Sequence, residues 1–196
     1  MKKGRLEAFS DGVIAIIITI MVLGIEAPHE PSLEALRPLV PKLICYVGSF
    51  VYVGIYWNNH HHMMQLVHTV NGKVLWANLN LLFWLSLIPF TTDWMGEASF
   101  STWPVVLYGI VLLMTSIAYG ILYTQLVKPA HENNELQAAV GDGRKEKLST
   151  FMYIIAIPSA FLSPWISISL YIAVAVVWFI PDKRIEKKIK EESHID

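Results

Sequence analysis

Cysteine is almost absent from this chain, since Cys45 is the only one among 196 residues. A single cysteine excludes an intrachain disulfide, and its position in an apolar run indicates a buried thiol without a chemical role. Charged residues are also scarce, at 16% of the total, and they nearly cancel to a formal net charge of −1. This balance argues against nucleic acid as a partner.

Motifs that carry enzyme chemistry are missing as well. The chain contains no Gly-x-Ser-x-Gly, no His-Glu-x-x-His and no glycine-rich loop that could hold a phosphate group. Its apolar segments contain no paired carboxylates that could share acid and base roles. We therefore expect no enzymatic activity, no catalytic residues and no cofactor. The Thr-Val-Gly-Tyr-Gly filter of many potassium channels is absent too, so any ion pore must be lined in another way.

Apolar residues, in contrast, make up 54% of the chain, which is too many for a soluble domain of this size. Six apolar runs, separated by clusters of proline, glycine and polar residues, predict six transmembrane helices and hence an all-α integral membrane protein. A turn at residues 91–93 is expected to end the third span. The predicted spans cover residues 9–25, 41–65, 74–90, 103–127, 148–162 and 165–180 of one transmembrane domain, residues 1–181, which a charged cytoplasmic tail follows at residues 182–196.

Lysine and arginine are distributed unevenly between the two ends of these spans. Of 15 basic residues, only Arg37 and Lys42 fall on the side opposite the termini. The positive-inside rule therefore predicts that both termini are cytoplasmic, in a multi-pass protein of the plasma membrane. Because Glu7 and Asp11 interrupt the approach to the first apolar run, we expect a retained span rather than a cleaved signal peptide.

Polar residues concentrate at the cytoplasmic ends of the first three spans. Because each would be costly alone in hydrocarbon, they are expected to form a hydrogen-bonded network between helices. Consecutive residues of a helix point about 100° apart, so three successive histidines cannot all reach one metal ion from one helix. Hydrogen bonding is therefore favoured over the two alternatives, a metal site or a proton sensor. The residues are Ser10, Asp11, Asn58, His60, His61, His62, Asn78 and Asn80.

The first span has one smooth face with a single hydroxyl group. On a helical wheel its members lie within about 60° of one direction, whereas Asp11 points about 140° away from Ile16. If this face surrounded a symmetry axis, it would form an apolar constriction with one threonine ring, which could gate by dewetting. Lipid exposure or ordinary packing explains an apolar face more simply from periodicity alone. The face consists of Gly12, Ile16, Thr19, Ile20, Leu23 and Ala27.

A set of ordered motifs resembles one family of membrane proteins. The first is Arg5-x-x-x-Phe9-Ser10-Asp11, followed by Gly-Val-x-Ala-Ile and Thr19. The second span ends in Ile-Tyr-Trp-Asn-Asn-His-His, and the third reads Leu-Trp-Ala-Asn-Leu-Asn-Leu-Leu before a Ser-Leu-Ile-Pro-Phe end. Together these motifs resemble the transmembrane-protein-175 family, the endosomal and lysosomal potassium channels and their prokaryotic relatives.

The resemblance implies a symmetric homotetramer of six-span subunits in which the first helix of each subunit lines a central pore. The bilayer, other copies of the chain and permeant monovalent cations, chiefly K⁺, are then the expected partners. The implied pore constriction consists of Ile16, Thr19, Ile20 and Leu23. The implied structural network consists of Arg5, Phe9, Ser10 and Asp11 on the first span with Asn58, His60, His61, Asn78 and Asn80 on the next two.

An apolar pore without charges or carbonyl rings should favour the cation that deforms its hydration shell most cheaply. We therefore expect moderate selectivity for potassium over sodium. One alternative is a secondary or proton-coupled transporter, which would need titratable groups around a cavity near the middle of the membrane. Another is a membrane scaffold that transports nothing, which the apolar composition does not exclude.

Overall fold

A computed structural model describes residues 3–65, 70–127 and 144–179. Those residues contain seven α-helices, one 3₁₀ helix and no β-strand, which confirms the predicted all-α class. The predicted tail, residues 182–196, lies outside the described residues. The helices are α1 (Lys3–Leu23), a 3₁₀ helix (Glu34–Leu39), α2 (Val40–Gln65), α3 (Gly72–Ser86), α4 (Ile88–Glu97), α5 (Thr102–Val127), α6 (Arg144–Ser159) and α7 (Pro164–Phe179).

Among the described residues, four helical stretches are long and apolar enough to cross a membrane. They correspond to the first four predicted spans, and the third combines α3 and α4. The last two predicted spans correspond to α6 and α7, which have 16 residues each. Sixteen residues extend about 24 Å, less than the roughly 30 Å of a typical hydrocarbon core. The four long stretches are Lys3–Leu23, Glu34–Gln65, Gly72–Glu97 and Thr102–Leu126.

The expected turn at residues 91–93 is wrong, because these residues lie inside α4. Pro89 lacks a backbone N–H and therefore interrupts the helix between α3 and α4, but it occupies the first turn of α4, where no such donor is needed. The chain turns later, at Ser99 and Phe100, whose φ angles of 47° and 60° are positive. The third span thus continues through a second helix, α4, before the chain turns.

Helix α1 lies at the edge of the helix bundle. It packs against α2, α3 and α4, whereas α5 packs against α3, α4, α6 and α7 and contributes many of the fully buried side chains. Only one side of α1 therefore faces the core of the bundle. This placement leaves the opposite side of the first helix open along its length.

Candidate functional site

Helix α1 has two distinct faces. Its buried side chains recur every three or four residues, as expected for one face of a helix packed on its neighbours. The other face is open: Ile16, Ile20 and Leu23 are 57%, 48% and 75% exposed. Gly12 and Thr19 are also exposed on that side. We call Gly12, Ile16, Thr19, Ile20 and Leu23 the α1 stripe; the buried face consists of Leu6, Ser10, Ile14, Ile17 and Met21.

Ala27 was expected to extend this face but lies beyond the end of α1 at Leu23. The stripe is therefore one turn shorter than the wheel predicted. Its single side-chain oxygen belongs to Thr19, whose hydroxyl donates within the helix to the carbonyl oxygens of Ala15 (3.1 Å) and Ile16 (2.9 Å). Because these bonds occupy the proton, the lone pairs of the Thr19 oxygen are left to face outward from the helix.

An apolar groove of about 610 Å³ runs beside the stripe, between α1 and the α3–α4 segment. Ile16, Ile20 and Leu23 border it on one side, and Phe90 of α4 borders it on the other. Asp93 is the one ionisable residue in its lining. The subunit alone thus leaves both the stripe and the adjoining groove uncovered within the described residues.

The buried face of α1 carries a hydrogen-bonded network to α2 and α3. Asn78 Nδ2 donates to Ser10 Oγ (2.9 Å), and Ser10 Oγ donates to the Leu6 carbonyl (2.9 Å). Asn78 Oδ1 lies 2.8 Å from His60 Nε2. With this amide orientation Oδ1 can only accept, so His60 carries its proton on Nε2. All three side chains are at most 1% exposed, so the network closes inside the bundle.

A second set of polar contacts joins α1 to α2 nearer the surface. Trp57 Nε1 donates to Asp11 Oδ1 (2.9 Å), and His61 Nδ1 lies 3.2 Å from Glu7 Oε1. Gln65 Nε2 lies 2.9 Å from His61 Nε2. An amide nitrogen can only donate, so His61 accepts at Nε2 and directs its Nδ1 proton toward Glu7. These contacts fix the rotation of α1 against α2.

These surface contacts repeat once per helical turn, and we call them the α1–α2 ladder. The Lys3 ammonium donates to the Gln65 carbonyl oxygen (3.0 Å) and completes the series. Four-residue steps along α1 thus meet four-residue steps in the opposite direction along α2, as expected for antiparallel neighbours. Sequence reasoning missed Lys3, Glu7, Trp57 and Gln65, although their matched spacing is visible in the sequence.

The structure brings together five of the nine residues expected in the network: Ser10, Asp11, His60, His61 and Asn78. The other four lie apart from it. Arg5 and Phe9 are exposed on α1, and the Asn58 and Asn80 side chains are half-buried. None of these four makes a side-chain hydrogen bond or ion pair within the described residues, so their structural role stays a prediction.

No group of three or more histidine, cysteine, aspartate or glutamate side chains is placed to hold a metal ion within the described ranges. The site therefore consists of one helix with two different faces. Buried and surface polar contacts hold one face of α1 against α2 and α3, and the other face presents the apolar α1 stripe. Together with the membrane-length helices, these features define a multi-pass helical membrane protein whose first helix is held rigidly at the subunit edge.

Comparison with known proteins identifies the family. Residues 5–89 match the family described as endosomal/lysosomal potassium channel TMEM175. A protein of Chryseobacterium sp. (strain P1-3) named a potassium channel is 53% identical over 191 residues, covering 97% of this chain and 100% of that protein. The chain belongs to the TMEM175 family, which confirms the resemblance drawn from its motifs. Members of this family are channels, so the chain is not an enzyme.

Two further relatives extend the comparison. The crystal structure of a lysosomal potassium-selective channel TMEM175 homologue from Chamaesiphon minutus matches with a TM-score of 0.78 at 26% identity. The match covers 91% of this chain and 96% of that one. The chicken protein named endosomal/lysosomal proton channel TMEM175 is 26% identical over 178 residues, and the matched region covers 83% of this chain but 35% of that protein.

Proposed function

We propose that four copies of this chain assemble in the plasma membrane around a pore lined by α1, and that this pore conducts potassium in moderate preference to sodium. The observation that carries the proposal is the α1 stripe: an exposed, uncharged face on a helix whose opposite face is locked into the subunit. The bacterial relatives named or described as potassium channels support the choice of ion.

In such a tetramer, Ile16 would form an apolar ring at the constriction, with Ile20 and Leu23 as further rings toward the outer side. A ring of this kind offers no ligand to replace the water around an ion. Potassium loses or deforms its hydration shell more cheaply than sodium and would therefore pass more readily. The outward lone pairs of Thr19 would provide the one ring of oxygen acceptors between the apolar layers.

The polar contacts on the other face of α1 would serve as the frame of the pore. An apolar constriction discriminates between ions only if its radius is held within narrow limits. The buried Ser10–Asn78–His60 network and the α1–α2 ladder supply this rigidity over the inner half of the helix. The carboxylate of Asp11 then acts by fixing α1 rather than by contacting the ion.

Ion flux through liposomes containing purified protein tests the assignment of the constriction. Ile16→Asn is expected to hydrate the apolar ring, so that the permeability ratio of potassium to sodium falls toward about 1. Ile172→Asn is the matched control, because Ile172 is the same residue type on α7 and is 58% exposed against 57% for Ile16. Unchanged flux and selectivity in Ile16→Asn, or equal changes in both variants, would overturn the proposal.

The same preparation separates the channel from its alternatives. A carrier would show slow, saturating uptake driven by a pH gradient, and a scaffold would show no flux under any gradient. The channel proposal expects flux that does not saturate in this way, since the α1 stripe carries no titratable side chain. Proton flux should be recorded beside potassium flux, because the chicken relative is named a proton channel.

A further inference from the structure

The outer end of α1 is tied to two other helices through one lysine. Lys42, in the first turn of α2, donates from its ammonium to the carbonyl oxygen of Gly24, directly after α1 (3.4 Å). The same ammonium lies 3.5 Å from Asp93 Oδ1 of α4. Lys42 is therefore the point at which the end of α1, the start of α2 and the middle of α4 meet. We call Gly24, Lys42 and Asp93 the outer clamp.

Two glycines permit this close approach. A Cβ atom at Gly24 would lie 2.7 Å from Asp93 Oδ1 and 3.0 Å from its carboxyl carbon. A Cβ atom at Gly96 would lie 2.7 Å from Lys42 Cα, which is a backbone atom that cannot move aside alone. Real Cβ atoms essentially never approach another heavy atom more closely than 3.0 Å. The clamp thus depends on backbone contact as well as on charge.

We propose that Lys42 and Asp93 are positioning residues that set the width of the outer end of the pore. The inference rests on the proposed function, because it matters only if α1 lines the pore. Leu23 is the outermost residue of the α1 stripe and directly precedes Gly24. Its 75% exposed side chain projects from a helix end that the ladder does not reach. Without the clamp, this end would be fixed by apolar packing alone.

The charges of the clamp suit a position beside a cation pathway. A lysine near the last carbonyls of a helix satisfies an acceptor that has no partner in the helix and interacts favourably with the negative end of its dipole. Its own positive charge would repel permeating cations, and the adjacent Asp93 carboxylate offsets that charge. The predicted outer side of the membrane holds only two of the 15 basic residues, and pairing with Asp93 accounts for the presence of Lys42 there.

Neighbouring charged residues provide matched controls. Arg37, in the 3₁₀ helix, is the other basic residue on the outer side, and it is exposed without a side-chain partner within the described residues. Glu97 lies one turn after Asp93 on α4 and is likewise exposed without such a partner. Neutralising either one changes the charge of the outer surface as much as neutralising a clamp residue, but leaves the clamp intact.

Potassium and sodium flux through reconstituted protein tests the outer clamp. Lys42→Met and Asp93→Asn are each expected to lower the potassium-to-sodium permeability ratio by about two- to fivefold, the size of effect a partly exposed ion pair can supply. Arg37→Met and Glu97→Gln should leave the ratio unchanged. The charge swap Lys42→Asp with Asp93→Lys should restore part of the ratio, because it again places opposite charges on α2 and α4 at the clamp. If Lys42 and Asp93 had only a structural role, their variants would lower the yield of assembled protein. The permeability ratio would then not fall in the single variants and recover in the charge swap.

Two results would overturn the inference while leaving the channel intact. The first is a potassium-to-sodium permeability ratio in Lys42→Met that equals the ratio in Arg37→Met. The second is a permeability ratio in the charge swap that is as low as in the single variants. If Lys42→Met does not assemble, Asp93→Glu against Glu97→Asp gives the same comparison, because it keeps the charge and moves the carboxylate by one methylene. Failure of the proposed function looks different: Ile16→Asn would then match Ile172→Asn, whatever the clamp variants do.

Discussion

Asn78 connects three helices through the two ends of its amide group. One end donates to Ser10 on α1 and the other accepts from His60 on α2, while Asn78 itself belongs to α3. His60 Nδ1 is the one buried side-chain polar atom in the described residues without a hydrogen-bond partner. The Asn78 contact is therefore the only hydrogen bond of the His60 ring there. In a bundle whose core is otherwise mostly apolar, such a bond specifies which helix faces meet.

We expect Asn78→Leu to destabilise the fold by about 1–3 kcal/mol, because it leaves the His60 ring buried without any partner. Asn80→Leu, two residues along the same helix, is the matched control. The Asn80 side chain is half-buried and makes no hydrogen bond within the described residues, so its replacement should cost about 0.5 kcal/mol or less. Denaturant unfolding in detergent, followed by tryptophan fluorescence, compares the two. Equal losses would show that Asn78 contributes only through its volume.

The sequence predicts the partners of a residue where its depth in the membrane decides them. Ser10, His60 and Asn78 were expected at one depth, and they do form one network. Glu7 and Trp57 were missed, because their contacts depend on the rotation of α1 relative to α2, which composition and spacing within one span do not define. The same rotation decides which face of α1 is open.

At the scale of elements, close packing of α5 and α7 depends on Gly109. A Cβ atom there would lie 2.0 Å from Tyr171 Oη and 3.0 Å from Ile157 Cγ1. The Tyr171 hydroxyl donates to the carbonyl oxygen of Val105, one turn earlier on α5 (3.2 Å). The tyrosine ring therefore fills the space above the glycine and joins the two helices. Small residues allow such close approach between transmembrane helices.

Gly109→Ala is expected to destabilise the subunit by about 1–3 kcal/mol, as overpacking of a filled core does. Gly120→Ala on the same helix is the control, since a Cβ atom at Gly120 meets nothing within 4 Å. That replacement should be neutral, or stabilising by up to about 1 kcal/mol, because alanine favours the helical backbone. Thermal unfolding in detergent measures both. A loss in Gly120→Ala as large as in Gly109→Ala would refute the packing argument.

The end of the third span is a helix boundary that the sequence did not predict correctly. The run Pro-Phe-Thr-Thr-Asp at residues 89–93 is typical of a turn in soluble proteins, where threonine and aspartate side chains compete for backbone groups. Here the Thr92 hydroxyl donates back to the Ile88 carbonyl oxygen (2.7 Å), and its oxygen also lies at hydrogen-bond distance from Ser49 Oγ of α2 (2.7 Å). Both bonds satisfy the hydroxyl group inside a helix, and the helix continues. Whether the Thr92 hydroxyl bonds to the backbone of a turn or of a helix depends on its contact with α2, which is distant in the sequence.

At the scale of the whole molecule, the sequence predicted the membrane class, the all-α fold and the family. Each depends on patterns that extend over many residues: apolar runs of membrane length, and ordered motifs in three spans. The subunit itself explains why the pore is harder to predict. The α1 stripe and its groove become distinctive only when the opposite face is seen to be locked, and their proposed role requires other copies of the chain.

The proposed orientation can be tested by following the chain through its third span. Helices α3 and α4 together contain about 26 residues, roughly 39 Å of helix, so the residues before α3 and after α4 should lie on opposite sides of the membrane. Lys73 is the second residue of this stretch and Ser101 lies four residues after its end, and both are exposed. In a Cys45→Ala background, Ser101→Cys should react with a membrane-impermeant maleimide added to intact cells. Lys73→Cys should react only after the cells are opened, because the positive-inside rule places it in the cytoplasm.

Cys45 is 3% exposed, so its replacement changes the surface little, and it leaves each introduced cysteine as the one thiol in the sequence. Two contrary results have different meanings. If Lys73→Cys reacted in intact cells and Ser101→Cys did not, the termini would lie outside. The Ser10–Asn78–His60 network and the α1–α2 ladder would then lie at the outer side of the membrane. Labelling of both cysteines from one side would instead mean that α3 and α4 form a re-entrant pair that does not cross the membrane. The clamp would then lose its assignment to the outer side of the membrane, although Lys42 would still join Gly24 and Asp93.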